Sequence, residues 1–301
     1  MFALKIPLTG FFLGAFAVII ISMIAYISER DYKQIVQSTI LVIMVKAMVS
    51  PHSPPPAYLA VAFQGFTGAL FFRMKNFRMA CVLLGIFSMV ESALQKIIVL
   101  TLIFGNDLWS AVNNFFADLK ISFGLHHISF SWVLIGVYAL LYACWGAFVG
   151  AWASRMPGAV EDHKMKLEVL PAINDADADT APERNGGKWK QWLLYLSMLI
   201  FIGLVFYFNG GSNKILGIVL RSVSAVLLLY FVLRPLVQYI LQRWLQHQQG
   251  KKKEANELIL LLPQMRGYVS AAYSLAKKQS SVFSRMKEFI IYLIGMALYG
   301  K

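Results

Sequence analysis

The chain alternates long apolar blocks with short charged or proline-rich stretches. The hydrocarbon core of a bilayer is about 30 Å thick, and a helix needs about 20 apolar residues to cross it. Blocks of this kind lie near 6–27, 34–50, 56–72, 79–104, 131–153, 191–208 and 214–233. The second and third are short for a full crossing. An apolar piece at 289–299 is shorter still and suits an interfacial or re-entrant segment. The pattern therefore predicts an all-α, polytopic helical membrane protein with about seven transmembrane helices.

Composition agrees with that pattern. Of 301 residues, 58% are hydrophobic and only 14% are charged, against about a quarter charged in soluble domains; mean hydropathy is +0.61. A net charge of +13 would suggest nucleic acid in a soluble protein. Here the bases gather just outside apolar runs, where the positive-inside rule and anionic lipid account for them, so no nucleic-acid partner is expected. Cys81 and Cys144 both fall inside apolar runs and read as small buried hydrophobes, with no disulfide framework. The first block lacks the basic start and small-x-small end of a cleaved signal and reads as a retained helix.

Loop charges set an orientation. Arg73, Lys75 and Arg78 crowd one short loop, which is expected to be cytoplasmic. The loop 105–130 carries Asp107, Asp118 and only Lys120, which suits the outside. Segment 234–288 holds ten Lys/Arg against three acids and is expected to be cytoplasmic, as in a bacterial inner membrane. Residues 171–187, PAINDADADTAPERNGG, have Ile173 as their one large apolar residue and read as a disordered linker. Three regions result. Residues 1–153 form a membrane bundle that could bind a solute, and 154–190 form a cytoplasmic, partly disordered linker. Residues 191–301 supply two membrane helices, basic cytoplasmic helices and the short apolar segment.

Motifs for chemistry are missing. No phosphate loop, dinucleotide fingerprint, zincin motif, paired-cysteine zinc pattern or nucleophile elbow occurs. The chain therefore reads as a non-enzyme with no cofactor. His52, His126 and His127 fall on the outer side, but no spacing among them supports a metal.

The polar residues inside apolar runs carry the information. Ionisable groups at membrane depth are costly and face a bundle interior or a cavity. Glu91 and Gln95 are four apart and share a helix face. Lys96 points about 140° away from Glu91. Lys46, near the end of the second run, is within geometric reach of Glu91. The pair serves either as a register-fixing ion pair or as ligand contacts. Gln64 serves either as helix–helix glue or as a ligand contact. Gly10-x-x-x-Gly14 and Gly146-x-x-x-Gly150 read as close-packing faces.

The stretch Ser50-Pro-His-Ser-Pro-Pro-Pro56 separates the second and third runs. Proline disfavours helix in the residue before it, so the second helix must stop there. Ser53 is a fit N-cap for the next helix, with Pro54 to Pro56 in positions that need no N–H partner. The helix then points its positive end outward, beside His52, Ser53 and Tyr58. The alternative is a tight extracellular hairpin.

This turn and the following AYLAVAFQGFTGALFF resemble the early spans of substrate-binding S components of energy-coupling-factor (ECF) vitamin transporters. The C-terminal half resembles their T components. RPLVQYILQRWLQHQQGKKK, with Arg243, makes an amphipathic surface helix. Met265-Arg266-Gly267 is similar to the small Ala-Arg-Gly-like motifs that dock on ATPase subunits, with methionine where alanine is usual and without a second copy. The resemblance implies a transporter component that binds a small solute from outside, through His52, Ser53, Tyr58, Gln64, Glu91 and Gln95. It would couple to a cytoplasmic ATPase or another membrane subunit through Arg243, Arg266 and Gly267. The alternative is a non-transporting scaffold or assembly subunit that recruits a partner or anionic lipid through its basic C-terminal helices.

Overall fold

A computed structural model describes residues 9–50, 53, 55–117, 129–168, 236–237, 239–240, 243, 249–277 and 281–299. The candidate spans 191–208 and 214–233, the linker 171–187, and His52, His126 and His127 lie outside the described residues.

The main helices are α1 (Thr9–Ile27), α2 (Tyr32–Val49), α3 (Pro55–Phe71), α4 (Phe77–Phe104), α5 (Asn106–Phe115), α6 (Phe130–Ala153), α7 (Met156–Glu168), α8 (Gln249–Ala276) and α9 (Val282–Tyr299). No strand occurs among the described residues. Among the described residues, four stretches are long and apolar enough to cross a membrane: Gly10–Ile27, Tyr32–Val49, Phe77–Phe104 and the run from Phe130 to His163. At 17 residues, α3 is only about 25 Å long, short of a full hydrocarbon crossing. The proline turn supplies the physical reason, because it delays the helix start to Pro55.

Local chemistry places the helix ends. Asp31 caps α2, its carboxylate accepting from the Lys33 N–H at 2.9 Å. Asn76 caps α4, accepting from Met79 N–H at 3.2 Å. The α1–α2 turn holds Glu29 and Arg30 at φ 50° and 67°, in the left-handed region. Arg30 Nη1 ties this turn to the α3–α4 loop by donating to the Lys75 carbonyl at 2.6 Å. Gly105, at φ 67° and ψ −158°, turns the chain from α4 into α5, a conformation open to glycine alone.

These ties define two ends of the bundle. One carries the basic loops. There Tyr26 donates to Glu161 at 3.0 Å, joining α1 to α7. The other carries the proline turn. There Trp109 Nε1 donates to Thr101 Oγ1 at 3.1 Å and Ser131 Oγ donates to the Trp109 carbonyl at 2.7 Å, binding α5 to α4 and α6.

The core seam runs between α4 and α6. A Cβ built on Gly85 meets the Gly146 carbonyl; one on Gly146 meets the Gly85 carbonyl, and one on Gly150 meets the Cys81 carbonyl. The backbones touch because none of the three carries a side chain. Further along the same face of α4, Gly14 and Gly10 of α1 face the Met89 and Ser92 side chains. Cys81 is buried, as its sequence neighbours suggest, whereas Cys144 is exposed, since it faces outward from the seam that Gly146 and Gly150 build.

The segment 289–299 lies within α9, which packs on α7 and α8. Ile290 and Ile291 enter the main core, and Met296 meets Ala272 of α8. His163 sits half-buried on this α7–α9 junction. Its Nδ1 lies 2.7 Å from the Ala159 carbonyl, so that nitrogen carries a proton, and Nε2 faces Glu288 Oε2 at 3.4 Å. Burial, and then the Glu288 carboxylate, raise the neighbouring Tyr292 phenol above its ordinary pKa.

Val237 packs on Ile43, Ala47 and Tyr58 near the proline-turn end. Loop charge alone sets 234–288 at the opposite end. Among the described residues of 235–244, Val237 packs on α2 and α3, whereas Leu236, Tyr239 and Ile240 are exposed.

Candidate functional site

The polar side chains of the spans divide into two groups on opposite sides of α4. The first gathers at the opening turn of α3. α2 ends at Ser50, whose N–H donates to the Lys46 carbonyl at 2.8 Å, and the Ser53 N–H returns to the Ser50 carbonyl at 3.0 Å. Ser53 is half-buried in this turn. Because α3 opens at Pro55, Ser53 stands one residue further back than a cap.

Lys46 Nζ reaches across the turn and donates to the Ala57 carbonyl at 3.0 Å. The same amine lies 5.5 Å from the centre of the Tyr58 ring, a cation–π distance. Tyr58 is buried and its hydroxyl donates to the Ser50 carbonyl at 3.0 Å. Lys46 and Tyr58 thus close the α2–α3 hairpin from both sides.

From α4, Gln95 Nε2 donates to Glu91 Oε1, as their shared face implies, and lies 3.4 Å from the Pro56 carbonyl. Gln95 and Lys46 therefore approach adjacent carbonyls, Pro56 and Ala57, from different helices. Glu91 Oε2 is buried and has no hydrogen-bond partner among the described residues. The Lys46–Glu91 ion pair, one of the two readings the sequence offered, is not formed. The amine instead adds a second bond to the Ala57 carbonyl in the first turn of α3, and the carboxylate accepts from its own-helix neighbour Gln95.

Gln64 is buried but belongs elsewhere. It lies six residues beyond Tyr58, about 9 Å further along the helix axis. Its Nε2 would stand 3.9 Å from a Cβ at Gly14. Its surroundings are the α1–α3 contact, the setting of helix–helix glue. Among the sequence-derived binding residues, the structure brings together Lys46, Ser53, Tyr58, Glu91 and Gln95, and sets Gln64 apart.

The second group was not anticipated. Lys96 Nζ donates to the Tyr142 hydroxyl at 3.0 Å, and the Tyr138 hydroxyl donates to the same oxygen at 3.1 Å. Lys96 also lies 5.6 Å from the Tyr142 ring centre. Its direction, away from Glu91, follows from helix geometry. The signal for its partners was Tyr138-x-x-x-Tyr142, two tyrosines on one face of an otherwise apolar span.

Of the coupling residues, Arg243 is helical and exposed, and Gly267 is half-buried inside α8. Arg266 is also in α8, but its side chain lies outside the described set. α8 continues through Pro263 without a break, so Met265-Arg266-Gly267 is part of one continuous 28-residue helix.

Comparison of the chain with protein-family models, with curated proteins and with solved structures returned no match.

Proposed function

We propose that the chain is the membrane component of a transporter, with a site for a small polar solute at the opening turn of α3 and a cytoplasmic partner, an ATPase, on the basic C-terminal helices. One observation carries this: Glu91 Oε2 is buried between apolar helices and unpartnered among the described residues. A buried acceptor left unmade costs about 1–3 kcal/mol, and ionisable groups at membrane depth mark solute pathways. A solute that offers an N–H or O–H to this oxygen removes that cost. Gln95 holds the carboxylate's other oxygen in place.

The test is native mass spectrometry of the full chain purified in mild detergent, with a mixture of small metabolites. The expected result is one retained solute, lost in Glu91→Gln. Co-purification supplies the second arm: Arg266→Glu should release an ATPase partner and leave the fold intact. A chain that retains no solute, with partner binding unchanged by Arg266→Glu, overturns the proposal.

A second reading is a scaffold that recruits a partner or lipid without transporting. It is favoured by the engagement of Lys46 and Tyr58 in closing the α2–α3 hairpin, which leaves these two groups with structural work. On this reading the Glu91→Gln chain keeps every interaction of the native one.

A further inference from the structure

A groove runs along the outside of the bundle at the basic-loop end, away from the polar cluster. Its wider part, about 420 Å³, is lined by Phe148, Ala151 and Trp152 of α6, Met156 and Ala159 of α7, and two cations at its rim, Arg155 and Lys287. That volume lies within the range of about 300–1,000 Å³ common for small-molecule sites. Phe148 and Trp152 also line a narrower continuation, bounded by Phe12 and Phe16 of α1, Trp145 of α6 and Met286 of α9. Trp145 and Trp152 are seven residues apart, about 10 Å along the axis, so the groove is long, narrow and apolar. Phe12, Phe16, Phe148 and Met286 are all substantially exposed.

We infer that this groove is a binding site for one anionic phospholipid, with an acyl chain along Phe148 and Trp145 and the headgroup phosphate between Arg155 and Lys287. The charge arrangement selects this occupant. The run from Phe130 to His163 qualifies as a membrane span, and Arg155 lies two residues past the end of α6, about 37 Å along the axis from Phe130 and so beyond a hydrocarbon core of about 30 Å that begins there. Neither cation forms an ion pair within 4 Å among the described residues. Of the carboxylates on the adjoining helices, Glu161 accepts from Tyr26, Glu288 faces His163, and Asp162 is exposed and forms no ion pair within 4 Å among the described residues. Basic pockets between membrane helices suit anionic headgroups. A second copy docked two-fold on the same face would bring like charges together. The inference rests on the membrane placement of α1 and α6 and is independent of the solute site at α3.

The test uses the full chain in neutral detergent, titrated with phosphatidylglycerol or phosphatidylcholine carrying brominated acyl chains, with tryptophan quenching as the readout. Saturable quenching is expected, with half-saturation at about tenfold lower concentration for the anionic lipid. Trp145→Phe/Trp152→Phe should remove the saturable component. Arg155→Gln/Lys287→Gln should abolish the preference for the anionic lipid. Arg73→Gln/Arg78→Gln, which removes two exposed charges from the α3–α4 turn and the first turn of α4 at the same end, should leave it unchanged. Equal affinity for the two lipids overturns the inference, as does an equal loss of preference in both double variants. Lack of quenching together with a dimer that Phe148→Ser dissociates would assign the groove to a second copy and overturn it as well.

Discussion

Replacing Gly85 with alanine tests the idea that backbone contact between α4 and α6 holds the bundle together. In an ordinary helix interior, Gly→Ala stabilises by about 0.5–1 kcal/mol, because alanine loses less backbone freedom on folding. At Gly85 an added methyl group lands on the Gly146 carbonyl, and the next nearest atoms are the Gly146 carbonyl carbon and the Gly150 nitrogen. All three are backbone, so no side chain can rotate away. The helices must separate by something on the order of 1 Å, and a gap of that size forfeits a quarter to a half of each dispersion contact along the seam. Overpacking of this kind costs about 1–3 kcal/mol. The absence of any yielding neighbour points to the upper end, so the expected net loss is about 2 kcal/mol. That is roughly a thirtyfold change in the folding equilibrium.

Gly136→Ala is the matched control. It lies in the same helix as Gly146, and nothing is within 4 Å of its added methyl, so it should gain about 0.5–1 kcal/mol. The assay is SDS-titrated unfolding in mixed micelles, followed by near-UV circular dichroism. Gly146→Ala should cost a similar amount to Gly85→Ala. The double variant should cost less than the sum, because one separation of the helices relieves both clashes. If Gly85→Ala falls within about 0.5 kcal/mol of Gly136→Ala, the seam is not closed by backbone contact and the reasoning fails.

Other expected outcomes are smaller and local. Gly105→Ala should lose about 1–3 kcal/mol in the same unfolding assay, because φ 67° with ψ −158° is strained for any side chain; Gly158→Ala, in open space, should not. Asn76→Ala should lose about 1 kcal/mol by freeing the Met79 N–H, and Asn76→Asp should restore it. Tyr58→Phe should lose about 1 kcal/mol by removing one of the two donors to the Ser50 carbonyl, with amide exchange at Ser53 rising before that of α4. Tyr142→Phe should leave Lys96 Nζ without its 3.0 Å partner and lower the thermal midpoint in detergent, whereas Tyr138→Phe, which removes only a donor to Tyr142, should lower it less.

What was legible in the sequence were features with a local cause. The apolar blocks at 6–27, 34–50, 79–104 and 131–153 correspond to the four stretches long and apolar enough to span a membrane. The stop at Ser50 follows from proline chemistry, and the Glu91–Gln95 contact from their spacing of four. Gly146 and Gly150 declared a close-packing face, but not that Gly85 would answer them from α4. That pairing depends on which helices become neighbours, which no single span encodes. Lys46 was drawn toward Glu91 by charge alone. Carbonyls at a helix start are invisible in a residue string, and the Ala57 carbonyl is what the amine found. Trp152, near the end of an apolar run, reads by itself as an interfacial tryptophan. Its part in a groove with Arg155 and Lys287 requires α9 to return to α6 and α7 across more than a hundred residues.

The two ends of the bundle therefore ask for different chemistry. At the proline turn, side chains of α2 and α4 converge on adjacent carbonyls of α3, and a buried acceptor beside them, Glu91 Oε2, has no partner among the described residues. On the proposed reading this buried acceptor takes a donor-bearing solute. At the basic end, the groups left over are two cations beside an apolar channel, which recruit an anion with a hydrocarbon tail. One molecule cannot serve both ends, because α4 and α6 are closed by backbone contact between them. A lipid held between α6 and α9 would instead bear on the seam from outside, at Phe148 and Trp152, two residues that flank Gly150. Lipid occupancy and the tightness of the α4–α6 seam should then be coupled. Gly85→Ala, by spreading that seam, should weaken saturable phosphatidylglycerol quenching, while Gly136→Ala leaves it unchanged. A Gly85→Ala chain that binds the lipid like the native one would separate the groove from the core and make the two ends mechanically independent.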